Sequence, residues 1–384
     1  MSKEATPQKP VAVHEVIRSV LATLTLAGAV LAGVYAYRKQ RLAESDAHRA
    51  DDKQLAERYT TAADQLGHDQ AAVRLAGVYA MARLADDWIE QRQVCIDVLC
   101  AYLRMPYEPD PELGAYKEGE REVRHTIIRV IRNHLQPQAP ISWSVCDFDF
   151  TRAAFDGGNL RGSHFQGTVS FGGAKFSRGT VDFSGAEFSG GTVSFFGAEF
   201  SGGTVSFLGA KFSGSTVTFR DVEFSGGKVH FLDAKFRGGT VTFNGAQFSG
   251  STVSFLNAKF SGSTVTFSGA KFSGGTVNFL DARFSGGTVT FLHAKFSGST
   301  LSFFGAEYSG GTVSFNNATY SGGTVSFNGA KFTGGTVSFN GAKFTGGTVH
   351  FLDADYSGGT VSFEDVSGAP QDWRPFQPPT DPGE

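Results

Sequence analysis

Ala198-Glu199-Phe200-Ser201-Gly202-Gly203-Thr204-Val205-Ser206-Phe207-Leu208-Gly209 is followed at once by Ala210-Lys211-Phe212, and this twelve-residue phrase recurs from Phe171 to Phe363. One aromatic ladder runs Phe176, Phe188, Phe200, Phe212 and on to Phe344, with Tyr308, Tyr320 and Tyr356 standing in for Phe. A second runs Phe183, Phe195, Phe207 and on to Phe363. A short internal period of this kind reads as a solenoid. Within the phrase, Ala198 and Phe200 lie two apart, as do Val205 and Phe207, with polar residues between them. That alternation makes two short strands, each with one inward and one outward face. Ser-Gly-Gly and Leu-Gly fall where the chain must turn, because glycine tolerates positive φ.

The entrance to the array has a different spacing. Phe150, Phe155, Leu160 and Phe165 are five apart, and from Phe171 the interval alternates between five and seven. This entrance resembles the pentapeptide-repeat family, which implies a β-solenoid built as a right-handed quadrilateral β-helix. If four sides persist, one coil is two phrases, or 24 residues; the alternative is a 12-residue coil, which would have to fit two Phe into a very narrow tube. The 24-residue coil is expected. With strands about 4.8 Å apart, roughly nine coils make a rod on the order of 45 Å.

Ser19 to Tyr37 is uncharged and apolar, and is followed by Arg38, Lys39 and Arg41. At 1.5 Å per residue this run reaches about 28 Å, close to the hydrocarbon core of a bilayer. Residues 17–37 are therefore expected to cross a membrane once, after a disordered segment at 1–16. A cleaved signal peptide lacks a basic cluster straight after its apolar run, and a core helix shows more polar positions. Lys3, Lys9 and Arg18 precede the run, whereas Arg38, Lys39, Arg41, Arg49 and Lys53 follow it. The positive-inside rule then puts the C-terminal body in the cytoplasm.

Residues 38–140 read as a small all-α domain. A charged helix over 40–66 ends near Gly67, and Asp69 is placed to cap a second helix with the apolar face Val73, Leu75, Val78, Tyr79, Ala82 and Leu84. A third, about Trp88 to Leu103, carries Val94, Ile96, Val98, Leu99 and Tyr102; a fourth, about Glu118 to Leu135, carries Val123, Ile127, Val130 and Ile131. Arg58-Tyr59-Thr60 with Asp64-Gln65-Leu66-Gly67, Val73 to Ala80, and Val98 to Arg104 occur in order ahead of the array. Together they resemble bacterial pentapeptide-repeat proteins with a membrane-anchored N-terminus and a helical domain. The chain departs from that group in having one span where many members carry two, and in its five-plus-seven spacing. The resemblance implies an architecture and no established activity. Residues 145–364 are the expected β-helix, and the Pro-rich tail at 365–384 offers Trp373 or Phe376 to cover the last coil.

The formal net charge is -3, which points to neither nucleic acid nor an anionic surface. Over residues 145–364, 15 Lys plus Arg stand against 14 Asp plus Glu, so the array lacks the acidity of a DNA-mimicking, topoisomerase-binding rod. The three cysteines, Cys95, Cys100 and Cys146, are too few for a disulfide framework. Cys95 and Cys100 do not have zinc spacing, and His230, His293 and His350 are too far apart to share a metal. No Ser-His-Asp set, phosphate loop or HExxH is present. We therefore expect no enzyme, cofactor or metal.

The outward Thr-x-Ser/Thr pattern is the candidate interaction face: Thr192 and Ser194, Thr204 and Ser206, Thr216 and Thr218, Thr240 and Thr242, Thr252 and Ser254. Such an array can order water or meet a ligand such as ice or a glycan. Thr and Ser are also ordinary solvent-facing strand residues, and Lys228, His230, Asn278 and His350 break the pattern. The expected role is a membrane-tethered, non-enzymatic scaffold presenting a rigid rod to an unidentified protein partner, with self-association through the helical domain a further expectation.

Overall fold

The computed structural model describes residues 13–368, so the expected disorder before residue 13 and capping by Trp373 or Phe376 lie outside the described residues. Two compact units divide between Thr60 and Thr61.

The first unit is one helix. We expected a membrane span followed by a separate helix; instead α1 runs unbroken over Val13–Leu66, its last turns belonging to the second unit. Nothing between Tyr37 and Gln40 breaks it, since Arg38 and Lys39 are both good helix formers. α1 holds a window long and apolar enough to cross a membrane by length and composition, with mean hydropathy 1.8 and no residue of the window buried.

The second unit joins three helices, α2 (Ala71–Asp87), α3 (Arg92–Arg104) and α4 (Glu120–His134), to a β-solenoid of about 9 turns. The expected cap Asp69 is not used: Gln70 occupies the N-cap of α2 without a side-chain hydrogen bond. The backbone carbonyl of Asp69 instead accepts from Arg74. The buried face of α2 is Arg74, Gly77, Val78, Met81, Ala82, Leu84 and Ala85, and the expected core residues Tyr79 and Val94 are exposed. Gly77 sets this rotation. A Cβ there would come within 2.7 Å of the Leu66 backbone nitrogen, so the end of α1 crosses α2 at that point.

In the solenoid, strand partners lie 24 residues apart: Phe188 pairs Phe212, which pairs Phe236. The coil is therefore two phrases long. For the coil at 199–222, the first side is Glu199–Phe200 and the second Thr204–Ser206. The third is Lys211–Ser213 and the fourth Thr216–Thr218. Every pairing along the array is parallel and in register until the last coils, where first and second sides, and third and fourth, fuse into single strands such as Glu307–Ser314.

That register sorts the aromatic ladders into four columns. Phe255 stacks on Phe231 at 4.8 Å and on Phe279 at 4.6 Å between ring centroids, and meets Phe243 of the next column edge-on at 6.0 Å. Offset stacks and edge contacts are the favoured aromatic geometries. Tyr308 and Tyr320 continue two of the columns with their hydroxyls buried and lacking a hydrogen-bond partner. Burial pushes the ionisation of both far above the ordinary phenol range.

The helices close the solenoid's first coil, which would otherwise present open strand edges. Asp156 is the main latch. His125 and Arg121 of α4 lie 2.9 and 2.8 Å from its carboxylate, and the Tyr107 hydroxyl donates to it at 2.7 Å. Burial alone would raise this carboxyl, but the bonds from His125, Tyr107 and Arg121 outweigh it and hold the pKa at about 2. A second latch stacks His134 on fully buried Trp143 at 3.9 Å, with both rings hydrogen-bonded to Asp86. Cys95 and Cys100 are buried in the same cap, and burial pushes the Cys95 thiol up to about 11.

Candidate interaction faces of the solenoid

The inside of the solenoid is filled by Phe, Val and Ala, so its chemistry is on the outside. The structure divides the expected Thr-x-Ser/Thr residues between two sides. Thr192, Ser194, Thr216, Thr218, Thr240 and Thr242 stack on the fourth side. Thr204, Ser206, Thr252 and Ser254 lie on the second, separated from them by the first and third sides. Ser254 is only 7% exposed, because its hydroxyl turns back to accept the Leu256 N–H, so it does not present itself outward.

The division has a consequence for the breaks in the pattern. Lys228, His230, Asn278 and His350 all fall on the second side. The fourth side carries Thr without a break from Thr192 to Thr360, with Ser or Thr two residues on in every coil. His230 and His350 share the second side five coils apart, and His293 sits at a corner with φ of 57°.

Two features of the surface were not foreseen. The corner between the second and third sides carries Leu208, Leu232, Leu256, Leu280 and Phe304 in consecutive coils. Each corner is tied to the next by a backbone bond, such as Asp233 N–H to the Leu256 carbonyl at 2.9 Å. Leu208 and Phe304 are 42% and 52% exposed and the three leucines between them are half-buried, so the row is one continuous apolar ridge. The corner between the fourth and first sides has Phe196, Arg220, Asn244, Ser268 and Leu292 in the same position and forms no such ridge.

Beside the ridge, the third side stacks Lys211, Lys235, Lys259 and Arg283, bounded by Glu187 and Glu307. Lys211 reaches Glu187 at 3.2 Å and Arg283 reaches Glu307 at 3.0 Å. Among the described residues, Lys235 and Lys259 have no acidic partner. Like charges one strand apart repel by about 1 kcal/mol even in water. The fold itself does not demand this: on the first side, Lys175 is followed by Glu199 and pairs with it at 3.7 Å.

The sequence signal for both features was present but needed the coil length. Read every twelve residues, the corner position alternates Leu with Arg, Asn or Ser and looks unselected. Read every 24, it is Leu four times running.

A solenoid of stacked aromatic columns, closed at one end by helices and bearing chemistry only on its outer faces, defines a structural or interaction module. Its repeats are pentapeptide repeats: the family model described as Pentapeptide repeats (9 copies) matches residues 150–199 and 243–291. No curated protein and no solved structure matched the chain.

Proposed function

We propose that the chain is a non-enzymatic scaffold whose right-handed, four-sided rod docks a protein partner along the leucine ridge and the adjoining cation ladder. The observation that carries this reading is the coincidence of the two: an apolar row and an uncompensated basic row run side by side over the same coils. The partner they fit is an acidic amphipathic segment. Four coil steps of about 4.8 Å span about 19 Å, the length of a helix of about 13 residues. The ridge would take its apolar stripe and the ladder its carboxylates. The cations also have the wrong sign for a rod that imitates DNA.

The apolar window of α1 and the basic Arg38, Lys39 and Arg41 after it support a single-pass tether through residues 17–37, with the rod in the cytoplasm. Protease should leave a C-terminally tagged array uncut in intact cells and cut it after lysis. Cleavage in intact cells would reverse this topology. It would also favour a second reading, in which the unbroken Thr rows of the fourth side face an ordered ligand such as ice or a glycan.

The docking reading is tested with a photo-crosslinking residue at Leu256 or, in comparison, at Thr264 on the fourth side. A partner should be captured reproducibly from Leu256 alone, and lost when Lys235→Glu and Lys259→Glu are added. Equal capture from Thr264, or capture indifferent to the charge reversal, would remove the ridge and ladder as the docking face.

A further inference from the structure

The helical cap contains a cleft of about 390 Å³ between the end of α1, α3 and the loop leading to α4. Its walls are largely apolar, including Leu66, Val98, Ala101 and Met105, and Lys117 borders it. The volume is that of a small-molecule site, where apolar walls usually accompany a few placed polar groups.

The polar groups here are out of balance. Arg74, on the cleft wall, is 1% exposed. Its Nη1 donates to the His68 carbonyl at 3.0 Å and to that of Asp69, which fixes the guanidinium. Its Nε and Nη2 have no hydrogen-bond partner in the protein. Those two nitrogens form the edge with which arginine grips a carboxylate by two parallel bonds. Glu120 Oε2 approaches Nη2 to 3.3 Å without hydrogen-bond geometry, and its own bond comes from the Tyr102 hydroxyl at 2.8 Å.

Glu120 is also shared. Arg124, 2% exposed, lies 3.9 Å from its other oxygen and directs its donors at the carbonyls of Tyr102, Leu103 and Ala154. Two buried guanidinium groups therefore face one buried carboxylate. An unpaired buried charge is strongly unfavourable, as is a buried donor left without an acceptor. A structural network has no need of either.

We propose that this cleft binds a small organic carboxylate, with its apolar body against Val98, Ala101 and Met105 and its acid group drawn to Arg74 and Lys117. The ligand supplies the missing negative charge and the missing acceptors together. A neutral ligand of the same shape supplies neither, so the site discriminates by charge rather than by fit. A cationic ligand adds to the excess and is rejected.

The test is calorimetric titration of the full chain in detergent with phenylacetate, phenylethanol and phenethylamine, which share one body and differ in head group. Phenylacetate should bind at least about tenfold more tightly than phenylethanol, as expected for a charge-assisted pair of hydrogen bonds. Phenethylamine should give no heat. Ala101→Trp, which fills the cleft, should abolish binding, and Lys117→Met should weaken it several-fold. Arg74→Lys, if circular dichroism shows it folded, should lose most of the preference for the acid because lysine cannot grip two oxygens side-on. If that variant does not fold, the Ala101→Trp and Lys117→Met variants decide the question. No binding of phenylacetate, equal binding of phenylethanol, or binding that survives Ala101→Trp would overturn the proposal.

Discussion

Phe255 and Arg124 are both almost wholly buried, one in the solenoid and the other in its helical cap, and their surroundings share almost nothing. Phe255 sees the same rings above and below it that every other coil sees, at 4.8 and 4.6 Å. Arg124 sees Glu120, the Tyr107 ring at 4.4 Å and three backbone carbonyls, an arrangement made once. Repetition explains the contrast. An interior that must fit itself 24 residues later has no room for a singular group, so the solenoid can specialise only at outward positions. The cap carries no such constraint, and there charged side chains are buried.

The largest effect should come from emptying a column. Phe255→Ala should cost about 3–5 kcal/mol in its own coils, read by hydrogen exchange, while coils several steps away keep their protection because stability in a solenoid is local. A loss below about 1 kcal/mol would show that the column is not a packed core.

Backbone approach comes next. Gly227 has φ of 72° and a Cβ there would lie 2.6 Å from the Gly203 carbonyl of the preceding coil. Gly227→Ala should destabilise by about 2 kcal/mol in urea titrations. Gly209 has a similar φ of 64° but open space around it, and Asp233 and Asn257 already hold the equivalent corner in later coils. Gly209→Asn should therefore stay within about 0.5 kcal/mol of the parent. Equal effects at both corners would mean that coil-to-coil contact at the Ser-Gly-Gly corner is not what selects glycine.

Tyr308→Phe should act in the opposite direction. It removes a buried hydroxyl with no partner while keeping the stack between Phe284 and Phe332, so unfolding should become harder by about 1 kcal/mol. Destabilisation would mean the hydroxyl is satisfied. In the cap, the Asp156 carboxyl is held at about 2, below its unfolded value near 3.9. A depressed carboxyl stabilises above its unfolded pKa and loses that contribution as pH falls through its folded pKa. Cap amides should thus stay protected down to about pH 4 and lose protection towards pH 2, and Asp156→Asn should flatten that dependence. A mid-solenoid coil has no such carboxylate in its interior and should not follow the same curve.

How much of this was legible depended on whether a feature repeats. The period, the inward Phe and Val and the glycine corners could be read because every copy votes for the same answer. The side on which a given Thr or Leu lies depends on the coil length, and the twelve-residue phrase leaves that open. For this reason the ridge from Leu208 to Phe304 went unseen, and the breaks at Lys228, His230, Asn278 and His350 looked scattered rather than confined to one side. The helices were found by their apolar spacing, but their rotation was not. Arg74 faces inward and Tyr79 outward because Gly77 admits the end of α1, a close approach that no periodicity encodes. The Arg74 cleft joins residues from separate helices and a loop, with no local motif to announce it.

The measurement that most directly tests the account is cysteine crosslinking in a Cys146→Ser background. Leu232→Cys with Leu256→Cys places thiols on one corner in consecutive coils, about 4.8 Å apart along the rod. Leu232→Cys with Asn244→Cys places them at different corners, on either side of the aromatic columns. A short bis-maleimide should join the first pair and leave the second open, which would establish the leucines as a single ridge. Joining of the second pair in preference to the first would mean a 12-residue coil, and the ridge, the ladder and the partner they are proposed to hold would go with it.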